Sequence, residues 1–186
     1  MKNILITGGA GFIGSHTAEA LLARGVHVRV LDNFSNGQLA NLPAAARASG
    51  QLSVLEGDVR DAHAVDAAVL GMDAVLHLAA QVSVQRSVAE PVASSGHNIT
   101  GFLHVLDAVR KHRVPRLVYA SSAAVYGIPA SLPLSEDATA LPLSPYGLEK
   151  LIDDQYSALF RTLYNVSSVG MRYFNVYGPR QDPASP

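Results

Sequence analysis

The chain has 186 residues, 48% hydrophobic and 16% charged, with a formal net charge of −1 at pH 7. Such a chain can bury one core of its own, and its near-neutral charge argues against nucleic acid as a partner, because phosphate binding needs a basic surface. Cysteine is absent, which excludes disulfides and thiolate chemistry.

In chain order, MKNILITGGAGFIG opens apolar and is then broken by glycines, so it is neither a signal sequence nor a membrane span. No uncharged apolar run elsewhere reaches spanning length, which predicts a cytoplasmic protein with no membrane partner. Short β-rich runs at 3–7, 27–31, 52–56, 74–78, 116–120 and 167–171 alternate with helical patterns near 11–24, 62–70, 92–112 and 145–164. That alternation predicts an α/β fold, a doubly wound parallel sheet with helices on both faces. The alanine-rich stretch 39–51 predicts a surface connection with a short helix. The end, YGPRQDPASP, is loop chemistry without a closing element, from which we expect a chain cut short.

The first strand runs into Thr7-Gly8-Gly9-Ala10-Gly11-Phe12-Ile13-Gly14. Glycines at 8, 11 and 14 allow a tight turn, close approach of a pyrophosphate, and packing of helix on strand. Spaced glycines alone are weak evidence, but here a strand precedes them and an amphipathic helix follows. The second strand ends at Asp32-Asn33, where an acid can accept both adenosine ribose hydroxyls and repel a 2′-phosphate. No Arg or Lys follows within DNFSNGQ, so the pattern favours NAD. Asp58-Val59 and the small residues of HLAA, His77 to Ala80, stand where a dinucleotide would pass.

In SPYGLEK, Ser144 suits a helix N-cap and Pro145 the first helical position, so Tyr146 falls in the first turn. Lys150, four residues on, shares its face. A free tyrosine titrates at about 10, and a nearby ammonium, a bound nicotinamide cation and the helix N-terminus all favour the phenolate. Ser122, past the fifth strand, stands at the carboxyl end of the sheet, where open α/β sheets bind ligands.

Several features are given no chemistry. His97, His104 and His112 are spaced too widely to chelate one metal, and no metal is expected. His77 reads as a satisfied core-edge residue. Tyr156, Phe160 and Tyr164 read as a packing stripe, and Glu149, Asp153 and Asp154 as a solvated helix face.

Taken in order, GGAGFIG, DN, GDV, HLAA, HNITG, SSAAVYG, YGLEK and RYFNVYGPRQ resemble the extended short-chain dehydrogenase/reductase family in its nucleotide-sugar epimerase/dehydratase branch. The resemblance covers nearly the whole chain and implies a Rossmann-type NAD-binding domain over 1–186. Within it, 173–186 would begin a C-terminal substrate domain that is otherwise largely absent. It implies that Gly8, Gly11, Phe12, Ile13 and Gly14 hold the pyrophosphate. Asp32, Asn33, Asn36 and Gly37 would surround the adenosine ribose, and Asp58 and Val59 would meet the adenine. Leu78, Ala79, Ala80 and Asn98 would line the cofactor path, with Tyr173 by the nicotinamide. Ser122, Tyr146 and Lys150 would be the catalytic set, Lys150 also touching the nicotinamide ribose. Ser83, Ser122, Tyr146 and Asn175 would meet a UDP-sugar. The resemblance further implies a homodimer through the helices at 92–112 and 145–164.

Similar dehydratases carry an acid and a base where this chain has Ala123 and Ala124, which disfavours elimination of water. Redox at a sugar carbon remains, and C4 epimerisation of a UDP-sugar is the first expectation. A UDP-glucuronate decarboxylase, a sugar-nucleotide reductase, or a catalytically silent NAD-binding module are the alternatives.

Overall fold

In the computed structural model, which describes residues 2–129 and 131–182, the six apolar runs pair side by side and all point the same way. They are β1 (Asn3–Thr7), β2 (His27–Asp32), β3 (Leu52–Glu56), β4 (Ala74–His77), β5 (Leu117–Ser122) and β6 (Ser168–Tyr173). The sheet order is β3-β2-β1-β4-β5-β6, every pair parallel. The carboxyl ends of all six strands therefore share one edge. The order turns back between β1 and β4, where Thr7 stands opposite Leu31 on one side and His77 on the other. That reversal opens the crevice in which such sheets take ligands.

Seven α-helices are described: α1 (Phe12–Leu22), α2 (Ala44–Ala48), α3 (Ala62–Val69), α4 (Val84–Ala89), α5 (Pro91–Ser95), α6 (Gly101–Lys111) and α7 (Pro145–Tyr164). Side chains alternate across a strand, and β1 shows the result. Leu5 joins a core with Val65, Phe102 and Leu106, under α3 and α6. Ile6 faces the opposite way, into a second core with Ala18, Leu22 and Val30 under α1. Both are fully buried, which is why NILIT carries no polar residue at these positions. Phe102 centres the first core, its ring 4.8 Å from Tyr119 and 5.6 Å from His77. Tyr156 and Phe160 pack against that core, as the stripe on α7 predicts, while Tyr164 is 49% exposed.

Some boundaries differ from expectation. β5 and β6 begin one residue later and extend to Ser122 and Tyr173. The single helix expected over 92–112 is α5, a π-helical turn at Gly96–Thr100, and α6. The wider turn buries Asn98, and apolar spacing does not betray such an insertion. α4 has no counterpart among the expected elements, because its six residues are too few to show a period. Residues 39–51 hold a 3-10 turn (Leu39–Asn41) and α2.

The loop after β6 folds back on α1, where His16 Nε2 donates to the Pro179 carbonyl at 2.9 Å. Arg180 bonds Glu19 at 2.6 Å and Ser15 at 3.2 Å. The loop reading of 183–186 lies outside the described residues. Among the described residues no helix is long and apolar enough to cross a membrane.

Candidate active site

The turn after β1 is built from backbone. Gly8 has φ 68°, and a Cβ there would come 2.8 Å from the Ala79 amide nitrogen. A Cβ on Gly14 would run into the Gly8 carbonyl, so α1 can start this close to the strand only with glycine at both places. Thr7 binds the turn to β4. Its Oγ1 accepts from the Leu78 and Ala79 amides at 3.2 Å each, so its own hydrogen goes to His77 Nδ1 at 2.7 Å. That bond assigns the His77 proton to Nε2.

α1 starts without a cap. Gly11, at its N-cap, offers no side chain, and the first intrahelical bond is from Ser15 to the Gly11 carbonyl at 3.0 Å. The Phe12, Ile13 and Gly14 amides have no hydrogen-bond partner among the described residues. Three free donors at the positive end of an 11-residue helix suit a diphosphate.

Asp32, only 7% exposed, closes the turn from the β2 side. Its Oδ2 accepts from the Ala10 amide and its Oδ1 from the Phe34 amide, both at 2.9 Å. Each oxygen keeps acceptor capacity for a ribose hydroxyl. Gly37 lies against this carboxylate, where a Cβ would be 3.0 Å from Oδ1, and Asn36 beside it is exposed. Asn33 donates to Asp58 at 2.9 Å. Arg60 grips Asp58 through Nε at 2.9 Å and Nη2 at 2.8 Å. This grip holds the Asp58 carboxyl far below the usual range, against an opposing effect of burial. The Val59 side chain is only 6% exposed and belongs to the core, and its carbonyl accepts from His104 Nδ1 at 2.9 Å, which leaves its amide to face a ligand.

Tyr146 is placed by its neighbours on both sides. Ser144 caps α7 by accepting from the Gly147 amide at 3.1 Å, and the Tyr146 amide donates to Ser87 Oγ on α4, also at 3.1 Å. Gly147 brings the helix onto the turn after β5, where a Cβ would sit 2.7 Å from the Ala124 carbonyl oxygen. The Ser122 segment and the first turn of α7 are thus in backbone contact. Ser122 Oγ accepts from the Ala124 amide at 3.1 Å and keeps its own hydrogen to donate. The Tyr146 hydroxyl has no hydrogen-bond partner among the described residues. Tyr173 ends β6 opposite Ser122, and burial raises the pKa of its phenol. Asn175 is exposed beyond it.

The face of α7 read as solvated is buried, and this corrects the sequence reading. Glu149 is 2% exposed and Asp153 0%. Glu149 accepts from Ser94 at 2.8 Å, Ser95 at 3.1 Å and Asn98 at 2.6 Å, donors supplied by α5 and the π turn. Asn98 also bonds both backbone groups of Gln81, at 2.9 and 3.0 Å, so it pins the loop after β4 and its own amide is fully engaged. Gln81 in turn takes the Ser83 amide, and Ser83 caps α4. Lys150 is 2% exposed, and its ammonium lies 3.1 Å from Asp153 Oδ2. Asp154 accepts from Tyr119 at 2.9 Å, Ser121 at 3.2 Å and Arg172 at 3.3 Å. Burial lifts the Asp153 carboxyl to about 7 even with Lys150 beside it. Burial, helped by the Lys150 charge, presses His77 down to about 3. Its Nε2 has no partner, so only one of its two ring nitrogens is satisfied.

Helical period alone places 149, 150 and 153 on one face, but only the π turn shows that this face meets protein. Thr7 and Ser87, which brace the turn and the tyrosine helix, carry no distinguishing signal in the sequence. Among the described residues no cluster of His, Cys, Asp or Glu is placed to hold a metal. A hollow of about 310 Å³ opens beside Phe34 and Arg47 at the β3 edge, and none of the catalytic candidates Ser122, Tyr146 or Lys150 lines it.

The profile of the NAD dependent epimerase/dehydratase family matches residues 4–186. The chain belongs to that family. Among relatives of this epimerase/dehydratase chain, the UDP-glucose 4-epimerase of Mycolicibacterium smegmatis is 39% identical over 186 residues, covering 96% of this chain and 58% of that protein. A UDP-N-acetylglucosamine 4-epimerase from Methanobrevibacter ruminantium M1, solved with UDP-N-acetylmuramic acid, superposes with a TM-score of 0.93 at 39% identity, over 100% of this chain and 58% of that one. The UDP-glucose 4-epimerase of Thermus thermophilus, solved with NAD, gives 0.90 at 41% identity, over 97% and 58%. The chain spans less than two thirds of the length of these relatives.

Proposed function

We propose that the chain binds NAD across the β1/β4 crevice and serves the C4 epimerisation of a UDP-sugar. The carrying observation is the pairing of an uncapped, glycine-shaped helix start with the close approach of Gly147, next to Tyr146, to the Ala124 carbonyl two residues after Ser122. The free amides of Phe12, Ile13 and Gly14 suit the pyrophosphate, and Asp32 suits the ribose hydroxyls. Asp58 and the Val59 backbone meet the adenine, and Ala79 and Ala80 leave room for the dinucleotide. Support comes from the family's NAD dependence and from relatives named as UDP-sugar 4-epimerases.

Bound NAD supplies a hydride acceptor that can return what it takes. With NAD bound to accept the C4 hydride, Tyr146 would remove the proton from the sugar C4 hydroxyl and Ser122 would donate a hydrogen bond to the same oxygen. Tyr146 would hand that proton back to the oxygen once the sugar had turned over. Ala123 and Ala124 hold no proton to transfer, which disfavours loss of water. Ser83 and Asn175 contact the sugar-nucleotide, and residues from 173 onward begin the part that holds it.

A homodimer fits the apolar residues left exposed on adjoining helices: Val88 (63%) on α4, Val92 (86%) on α5, and Leu148 (49%), Leu159 (47%) and Leu163 (59%) on α7. A monomer by sedimentation would remove this part of the reading.

The test is incubation with NAD and either UDP-glucose or UDP-N-acetylglucosamine. Formation of the galacto epimer without net NADH is expected. Net NADH would point to a sugar-nucleotide oxidoreductase, CO2 released when UDP-glucuronate is supplied instead would point to a decarboxylase, and NAD binding with no sugar turnover would leave a cofactor-binding unit.

A further inference from the structure

The family resemblance has Lys150 touching the nicotinamide ribose in the crevice, yet its side chain is 2% exposed and its ammonium is held inside the protein by Asp153 at 3.1 Å. Asp153 is fully buried, and its other oxygen, Oδ1, has no partner. A lysine so enclosed does not touch a ligand in the crevice as it stands, and its contact with Asp153 is the one that a shift toward the crevice would give up. We propose that Asp153 is a latch on Lys150 that NAD binding opens, with uptake of one proton by Asp153. Asp153 is thus a positioning residue that acts through Lys150. The inference rests on the reading of Lys150 as a ribose ligand.

The surroundings set the direction. On α7 itself, Glu149 and Asp154 add negative charge near Asp153, and Lys150 is the cation in contact with it. From β4, His77 faces Lys150 as a neutral ring. From β5, Tyr119 faces Asp153 as an un-ionised phenol, burial raising its pKa. From β6, Arg172 is engaged by Asp154 and Tyr126. No second cation replaces Lys150 among the described residues, so an Asp153 left alone would be a buried anion between two others. Such a group takes a proton. The balance is one N–H···O contact broken, one O–H bond formed, and one proton drawn from solvent.

Asp153 titrates at about 7 with Lys150 in place and higher once Lys150 leaves. Below pH 6 it already carries the proton, so NAD affinity should be flat there. Above pH 7 affinity should fall by up to about tenfold per pH unit, because binding must draw the proton. Titration calorimetry of NAD binding at pH 8, in two buffers of different ionisation enthalpy, measures the uptake directly. We expect close to one proton for the parent and none for Asp153→Asn. The variant should also bind NAD about tenfold or more tightly than the parent at pH 8, with no pH dependence between 6 and 8. The parent measurement stands alone if the variant does not fold. NAD binding without proton uptake by the parent overturns the latch and leaves the cofactor reading intact. Failure of NAD to bind at any pH overturns both.

Discussion

The turn between β1 and α1 holds its shape almost without side chains, whereas the first turns of α7 hold theirs with a buried set of charges. In the turn, glycines bring backbone to within van der Waals limits of backbone, and Asp32 ties the Ala10 and Phe34 amides to β2. On α7, Glu149 gathers three donors and Lys150 turns to Asp153. The turn has one workable geometry and is ready for a ligand as it stands. The helix has a network whose members can be re-paired, and re-pairing is what a site needs if it must take up and release a proton.

Substitutions at the two places should separate these designs. Gly14→Ala should cost the most, about 3 kcal/mol, because its methyl meets the Gly8 carbonyl and neither main chain can retreat. Urea unfolding gives the value, and a loss below about 1 kcal/mol would show slack that the comparison denies. Glu149→Ala should cost about 2 kcal/mol, since it strands two buried donors and a half-buried one. Glu149→Gln keeps an acceptor and should lose less, and equal losses would mean the network does not depend on hydrogen bonding. Asp32→Asn should weaken NAD about tenfold, about 1.4 kcal/mol, while improving the relative binding of NADP, as read by fluorescence titration.

The smallest effect is a proton linkage at His77. Its folded pKa, about 3, lies below the ordinary histidine value of 6.5, so the unfolded chain takes up the proton first and stability falls as pH drops below about 6.5. Relative to His77→Gln, the parent should lose about 1 kcal/mol between pH 7 and pH 5.5. A constant difference would show that His77 is not held neutral.

The contrast also governs what can be read from sequence. The glycine turn, Asp32, the strands and the capped start of α7 are legible, because each depends on backbone rules that act over a few residues. The environment of Glu149 and Asp153 is not, because a charged helix face reads as solvated unless something covers it. Glu149 is covered by α5 and by the π turn that buries Asn98, and a single inserted residue leaves no period in apolar spacing. Ser87 supplies the acceptor for the Tyr146 amide across 59 residues of sequence, a contact only the fold reveals.

The central claim is that the Tyr146 phenol oxygen moves the sugar hydroxyl proton in a protein that has already bound NAD. The direct measurement is the rate of epimer formation in the parent and in Tyr146→Phe, with NAD affinity determined for both. The account predicts a rate lower by roughly 10²–10⁴-fold in the variant with NAD affinity little changed. A variant that turns over at the parent rate would contradict it.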